Sequence, residues 1–285
     1  MPVRPNSTIR TPVEISGAGV HSGRPVRLRL EPSTSGEIVF RRSDLGGAEL
    51  RLHPDRIESR NSTTLVGERF KVQTVEHLLA ALYAFGIGSV VVVLDADEVP
   101  IMDGSARPFV QALERQGTAA LETERPVLRI SRTAIIEERD AWIRFDPHDG
   151  DGLVLEYAIV YSHPAIGRQR LSLPWSSAVF AADIAPARTF GFLKDVEFYH
   201  RQGLALGASV ENTIVLDETT IVNPPLRFPD EFVRHKLLDL AGDLSLLGGD
   251  LVGRVTAFKA GHRLHLKAVQ TFLSRNESKP ARKFL

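Results

Sequence analysis

The chain contains no cysteine. Disulfides, thiolate nucleophiles and every cysteine-ligated metal site are thereby excluded. It also lacks net charge, because 35 Lys+Arg balance 35 Asp+Glu. A protein drawn to nucleic acid or a membrane surface by charge carries a basic excess, so neither partner is expected. Long apolar runs are missing too. The longest, Leu78–Phe85, is far too short to span a bilayer, and Met1–Val20 holds no run of signal-peptide length. The expectation is a soluble, cytoplasmic chain with no transmembrane segment. There is no Gly-x-Gly-x-x-Gly or Walker-type loop, and Ser62-Thr63-Thr64 lacks a nucleophile elbow. The glycine-rich stretch Gly17–Gly23 precedes a strand rather than a helix, so it makes no helix-terminal phosphate site.

What is present is ordinary globular material: 285 residues, 43% hydrophobic and 25% charged. That length exceeds what a single core usually supports, and two domains are expected, residues 1–120 and 127–285. Pro25–Leu30 alternates as a half-buried strand from Val26 onward, Glu37–Phe40 reads as a further strand, and Val90–Leu94 as a fully buried one. Thr74–Phe85 places Val75, Leu78, Leu79, Leu82 and Tyr83 on one helical face, and Pro108–Gln116 predicts a second helix. Gly117–Pro126 has no periodicity and reads as a linker. Beyond it the order repeats: strands at Val127–Glu137, Ala141–Phe145, Leu153–Tyr161 and Gln169–Leu173, a helix at Asp230–Leu247, a strand at Val252–Phe258 and a helix at His262–Ser274. Val75–Leu82 can be laid over Val233–Leu240 with a shared Val-x-His, which suggests a duplication. Residues 190–221, rich in glycine and aromatics, read as an insertion.

On the helix at 230–247, Val233, Leu237, Leu240 and Leu244 form an apolar stripe, and His235, Asp239 and Asp243 form a second stripe roughly opposite. A face opposite the core normally meets water, and solvated His and Asp are one reading. The other is a metal site, since His-x-x-x-Asp sets two ligands one turn apart. His77, on the equivalent helix of the first half, is the natural third ligand. Two histidines and one carboxylate leave an open tetrahedral position, the layout of a catalytic zinc site, and the neighbouring Glu76 could act there as a base. For Glu76-His77 too, a solvated helix face is the alternative. His262 opens the last helix, whose dipole lowers its pKa while a carboxylate such as Asp243 raises it. His262 and His265 form a rival metal pair for which no third ligand suggests itself.

Five segments then converge on one family: Thr74-Val75-Glu76-His77-Leu78, Pro100–Ala106, Ala187–Phe192, Asp230–Lys236 and Phe258–His262. Together with Gly17–Gly23 they resemble, in order, the signatures of UDP-3-O-acyl-N-acetylglucosamine deacetylases, zinc enzymes of lipid A biosynthesis in Gram-negative bacteria. The resemblance implies an α+β fold of two similar two-layer α/β sandwich domains packed together, with the active site between them. It implies Zn2+ held by His77, His235 and Asp239. Glu76 becomes the general base and His262, oriented by Asp243, the general acid. Thr189 polarises the acetamide carbonyl, while Lys236, Phe190 and Phe192 contact substrate. The implied reaction removes the N-acetyl group from UDP-3-O-[(3R)-3-hydroxyacyl]-N-acetylglucosamine and releases acetate, the committed step of that pathway. A βαβ insertion at about 190–221 matches in position the family's hydrophobic passage for the acyl chain, and Phe190, Phe192, Phe198, Leu204, Leu206 and Val210 are its expected lining. The partner is then a small molecule and the acting form a monomer. Zinc hydrolysis of another acylated or sugar amide, or a non-catalytic binding protein with solvated His and Asp, are the alternatives. The tail after Arg275 is short and basic.

Overall fold

The computed structural model describes residues 3–59 and 61–277; the basic tail beyond 277 lies outside the described residues. Five strands form the first sheet in the order Val13–Ala18, Pro25–Pro32, Val90–Leu94, Ile38–Arg42, Ala48–Arg51. The expected alternation holds: Val26, Leu28 and Leu30 are buried while Arg27 and Arg29 face solvent. Val90–Leu94 also alternates, with Val91 and Val93 only half-buried, rather than being buried on both faces.

The second sheet has seven strands. Its main path runs Val3–Ile9, Thr118–Arg129, Asp250–Phe258, Ala141–Asp146, Ala134–Glu138. Leu153–Val160 pairs in parallel with Asp250–Phe258, and Arg168–Pro174 pairs with it from outside. Two expectations fail here. Gly117–Pro126 is no linker: from Thr118 it is extended chain whose amides are paired by the antiparallel strand Val3–Ile9. Backbone pairing needs no hydrophobic period, so composition could not reveal it. The single strand expected over Val127–Glu137 is broken between Arg129 and Ala134, and its two pieces lie at different places in the sheet.

Five helices matter for the site: α1 (Glu76–Ala84), α2 (Arg107–Gln116), α3 (Leu193–Arg201), α4 (Glu231–Leu244) and α5 (His262–Glu277). Helix α1 packs on α2 and α4, and α4 packs on α5 and on strands Leu153–Val160 and Arg168–Pro174. From Glu76 to Tyr83 every residue of α1 is buried, so this helix is core all round rather than amphipathic. The crossing of α1 and α4 is close at Gly242, where a Cβ would stand 2.2 Å from the Glu76 carbonyl oxygen. Helix α3 lies between the parallel strands Phe190–Phe192 and Ile214–Leu216, a βαβ unit at the expected insertion. No helix among the described residues is long and apolar enough to cross a membrane.

Candidate active site

The α1–α4 crossing decides the fate of the polar stripe on α4. His235, Asp239 and Asp243 are 2%, 2% and 1% exposed, and Glu76 and His77 are each 4% exposed. The face opposite the α4 apolar stripe is therefore covered by the other half of the chain, and the solvated reading of these residues is ruled out.

Three ligand atoms meet at the crossing. Nε2 of His235 lies 3.4 Å, and Nε2 of His77 3.8 Å, from Oδ1 of Asp239. These spacings are too long for good hydrogen bonds. They suit atoms sharing one ion, because ligands about 2.0–2.2 Å from a tetrahedral centre stand about 3.3–3.6 Å apart. Nδ1 of His235 lies 3.1 Å from the carbonyl oxygen of Ala187, to which it donates, leaving Nε2 as the free lone pair. His77 Nδ1 is buried without a partner, so only what meets Nε2 defines the working state of this ring. Burial, reinforced by His235, drives the His77 pKa down to about 3, and burial also lowers that of His235. Burial alone would raise the Asp239 pKa, but His235 and Lys236 hold it well below the usual carboxylate range. Lys236 Nζ donates to Oδ2 at 2.7 Å, which leaves Oδ1 for the two histidines. Two neutral imidazoles and one carboxylate make a donor set that fits a divalent ion.

The second candidate set, His262 with His265, does acquire a third ligand-type group in Asp243. Its geometry is different. Nδ1 of His262 and Nδ1 of His265 lie 2.7 and 2.8 Å from the same oxygen, Oδ2 of Asp243. At these distances a proton sits between the atoms, so this is a hydrogen-bonded cluster rather than a metal cradle.

Glu76 and His262 flank the ligand set. The Glu76 carboxylate accepts the Thr63 amide hydrogen at Oε2 (3.1 Å) and faces His262 Nε2 at 3.6 Å through Oε1. Burial raises its pKa to about 7 against the pull of His262. Burial pushes the His262 pKa down, but the carboxylates of Asp243 and Glu76 outweigh it and raise the value to about 10. Both residues follow a turn in left-handed backbone, at Thr74 (φ 58°) and Lys259 (φ 49°). Conformations of this kind cost about 1 kcal/mol or more and persist where surrounding contacts impose them. At Thr74 the contact is Glu98, a buried carboxylate that accepts the Thr74 hydroxyl (3.0 Å) and the amides of His21 and Ser22 (2.8 Å each).

A cavity of about 470 Å³ opens from this point and is lined by Glu76, His77, Thr189, Phe190, Phe192, His235, Lys236, Asp239 and His262. Every expected site residue except Asp243 therefore lines the cavity, and Asp243 lies directly behind His262. Thr189 is held in place through its backbone: its amide donates to the Gly104 carbonyl (2.8 Å), and its carbonyl accepts the Ile214 amide (2.8 Å). Just before it, the fully buried Glu231 accepts the Arg188 amide (3.0 Å) and side chain (2.9 Å). Phe190 stands edge-on to Phe232, with Lys236 Nζ 5.6 Å from its ring centre.

The apolar arm of the cavity differs from expectation. Leu193, Val196 and Tyr199 of α3 line it at helical spacing, together with Val210, Val215 and Val222. Phe198 lies on the other side of α3 at 53% exposure, Leu206 is 52% exposed, and neither these two nor Leu204 is among the lining residues. Hydrophobicity without the helical period misplaces Phe198, whereas Leu204 and Leu206 lie in the irregular segment after α3. Three further residues were given no role from the sequence: Thr63, Glu98 and Glu231. Each acts through backbone amides or one neighbouring side chain, and no spacing rule marks such contacts.

The sequence model of the UDP-3-O-acyl N-acetylglycosamine deacetylase family matches residues 6–274. The UDP-3-O-acyl-N-acetylglucosamine deacetylase of Nautilia profundicola is 45% identical over 260 residues, covering 90% of this chain and 88% of its own. Those of Thioalkalivibrio sulfidiphilus and Pseudoalteromonas translucida are 41% and 40% identical, over 95% and 94% of this chain and 90% of each of theirs. A match spanning all the elements that build the crossing and its cavity leaves one conclusion: the chain belongs to the UDP-3-O-acyl N-acetylglycosamine deacetylase family.

Proposed function

We propose that this chain is a zinc-dependent amide hydrolase that removes the N-acetyl group from UDP-3-O-[(3R)-3-hydroxyacyl]-N-acetylglucosamine and releases acetate, in lipid A biosynthesis. The observation that carries the reading is the convergence of His77, His235 and Asp239 on one point in the wall of a partly apolar cavity, with Glu76 and His262 on either side. Zinc held by these three residues supplies Lewis acidity towards water and the amide carbonyl.

The remaining chemistry belongs to the chain. Glu76 takes a proton from the attacking water. His262 gives one from Nε2 to the departing amine, its Nδ1 anchored on Asp243. The carbonyl oxygen, gaining negative charge, meets Thr189 on the cavity wall. Lys236 and Phe190 border the reacting end, and Phe192 stands further out beside Tyr161 and His163. The acyl chain fits the arm lined by Leu193, Val196, Tyr199 and Val215. A division into two sandwich domains belongs to the same reading, with Val3–Ile9 and the whole strand Thr118–Arg129 in the sheet of the second. So does action as a cytoplasmic monomer.

Metal analysis paired with a deacetylase assay tests this. The expected result is one zinc per chain and deacetylation of the acylated UDP-sugar, with none on simple acetamides. Stoichiometric zinc with activity on unrelated amides only would replace the substrate assignment, and absence of zinc would overturn the reading.

A further inference from the structure

One buried titratable group near the site has no part in the chemistry above. His265 sits on α5 one turn after His262 and is 1% exposed. Its Nδ1 lies 2.8 Å from Oδ2 of Asp243, the oxygen that also meets Nδ1 of His262 at 2.7 Å. The other oxygen of Asp243 accepts the Thr63 hydroxyl at 2.5 Å. On the far side of the His265 ring, the Tyr157 hydroxyl lies 3.3 Å from Nε2 and donates to the Ala260 carbonyl at 2.6 Å. Burial would raise the Asp243 pKa, but His262 and His265 outweigh it and hold it at about 2, so the carboxylate is ionised and can only accept. Both rings must then present an N–H from Nδ1. Burial lowers the His265 pKa, so that ring is neutral and Nδ1 carries its one hydrogen.

A carboxylate with one partner can swing about its Cβ–Cγ bond. Here donors occupy both oxygens, and the extra one comes from the helix that also carries His262. We propose that His265 is a positioning residue: by donating its Nδ1–H to Oδ2 of Asp243 it locks that carboxylate where it holds the His262 ring with Nε2 turned into the cavity. Tyr157, its hydroxyl hydrogen given to Ala260, packs edge-on against the ring from behind, so the hydrogen-bonded lock is His265–Asp243–His262. The role given to His262 rests on the proposed function; the hydrogen-bond direction at His265 does not.

Two measurements on the full, metal-loaded chain test it. Imidazole nitrogen spectra, with His265 assigned by its loss in His265→Asn, should show the Nδ1–H tautomer. An Nε2–H tautomer would set a lone pair against Asp243 and overturn the proposal. In kinetics, His265→Asn keeps an N–H donor at the same bond count from the backbone, whereas His265→Phe keeps ring volume and removes the donor. His265→Asn should retain most of kcat. His265→Phe should lose about tenfold or more in kcat, the scale of one hydrogen bond to a charged group, with KM and bound metal unchanged. Equal losses in both variants, or no loss in His265→Phe, would overturn it. Should His265→Phe not fold, the tautomer still decides. Because it is read without turnover, failure of this inference and failure of the proposed reaction are separate results.

Discussion

At the scale of single residues, the contrast between two clusters a few ångströms apart carries the chemistry. Around Asp239 the ligand atoms stand 3.4–3.8 Å from Oδ1, and around Asp243 they stand 2.7–2.8 Å from Oδ2. The first spacing has room for an ion and the second for protons. Removing one of three protein ligands should weaken metal binding by orders of magnitude. His235→Ala is accordingly expected to elute without metal, and a normal content measured by elemental analysis would remove it from the ligand set. Glu76→Ala should keep its metal and lose about 10²–10⁴-fold in turnover, the usual loss on deleting a general base. Loss of metal there would make Glu76 a ligand instead. The pH profile of kcat/KM follows from the same two neighbours. In the proposed reaction Glu76 must be ionised, so the rate rises through its pKa, raised by burial to about 7. His262 must be charged, so the rate falls above its pKa, which the carboxylates of Asp243 and Glu76 lift against burial to about 10. A cation at the ligand set draws both values down, so the bell should lie below these two limits. Asp243→Asn removes the main cause of the rise at His262 and should move the basic limb to lower pH. A limb unmoved in both Asp243→Asn and His262→Gln would assign it to another group.

At the scale of elements, the decisive event is the crossing of α1 and α4. Each helix alone shows a polar patch, and only contact between them turns the two patches into a site. Gly242 permits that contact, since a Cβ there would fall 2.2 Å from the Glu76 carbonyl oxygen. The obstacle is helix backbone, which cannot swing aside as a flexible side chain can. Gly242→Ala should cost about 1–3 kcal/mol through overpacking. Thermal unfolding should show this as a loss of about 2–4 °C for each kcal/mol. Metal affinity should fall with it, because α1 carries His77 and α4 carries His235 and Asp239. Unchanged melting and unchanged metal affinity would mean that the crossing yields more easily than the geometry indicates. The repeated Val-x-His of the two halves, at His77 and His235, falls on the two sides of this crossing. By contrast, the stretch from Thr118 to Pro126 of the strand Thr118–Arg129 had no legible signature. Its partner Val3–Ile9 lies more than a hundred residues earlier, and pairing at that distance leaves no local pattern.

At the scale of the whole molecule, the βαβ unit at Phe190–Leu216 adds an apolar arm to a polar reaction centre. Each methylene buried there contributes about 0.8 kcal/mol, or about fourfold in binding. Shortening the acyl chain by several carbons should cut kcat/KM steeply, and unacylated UDP-N-acetylglucosamine should be a very poor substrate. Equal kcat/KM on acylated and unacylated sugar would detach the arm from specificity. Val196→Asp on α3 should impair long-chain substrates most, because it places a charge against the buried hydrocarbon.

Residue types and their periods were enough to identify the helices that carry Glu76, His77, His235 and Asp239, because strong apolar stripes and a His-x-x-x-Asp pair are local properties. The segments from Gly17 to His262, taken in order, pointed to the family. Alternation likewise placed Val26, Leu28 and Leu30 on a core face. Whether the α4 polar stripe met water or metal was undecided at that level, since a helix face has no say in what covers it. Tertiary structure removed the solvated reading by burying His235, Asp239 and Asp243. It also separated the inward Val196 from the outward Phe198, paired Thr118–Arg129 with Val3–Ile9, and turned His265 from a rival ligand into a hydrogen-bond donor to Asp243. These outcomes depend on distances between residues remote in the chain, and such distances exist only once the two halves have packed.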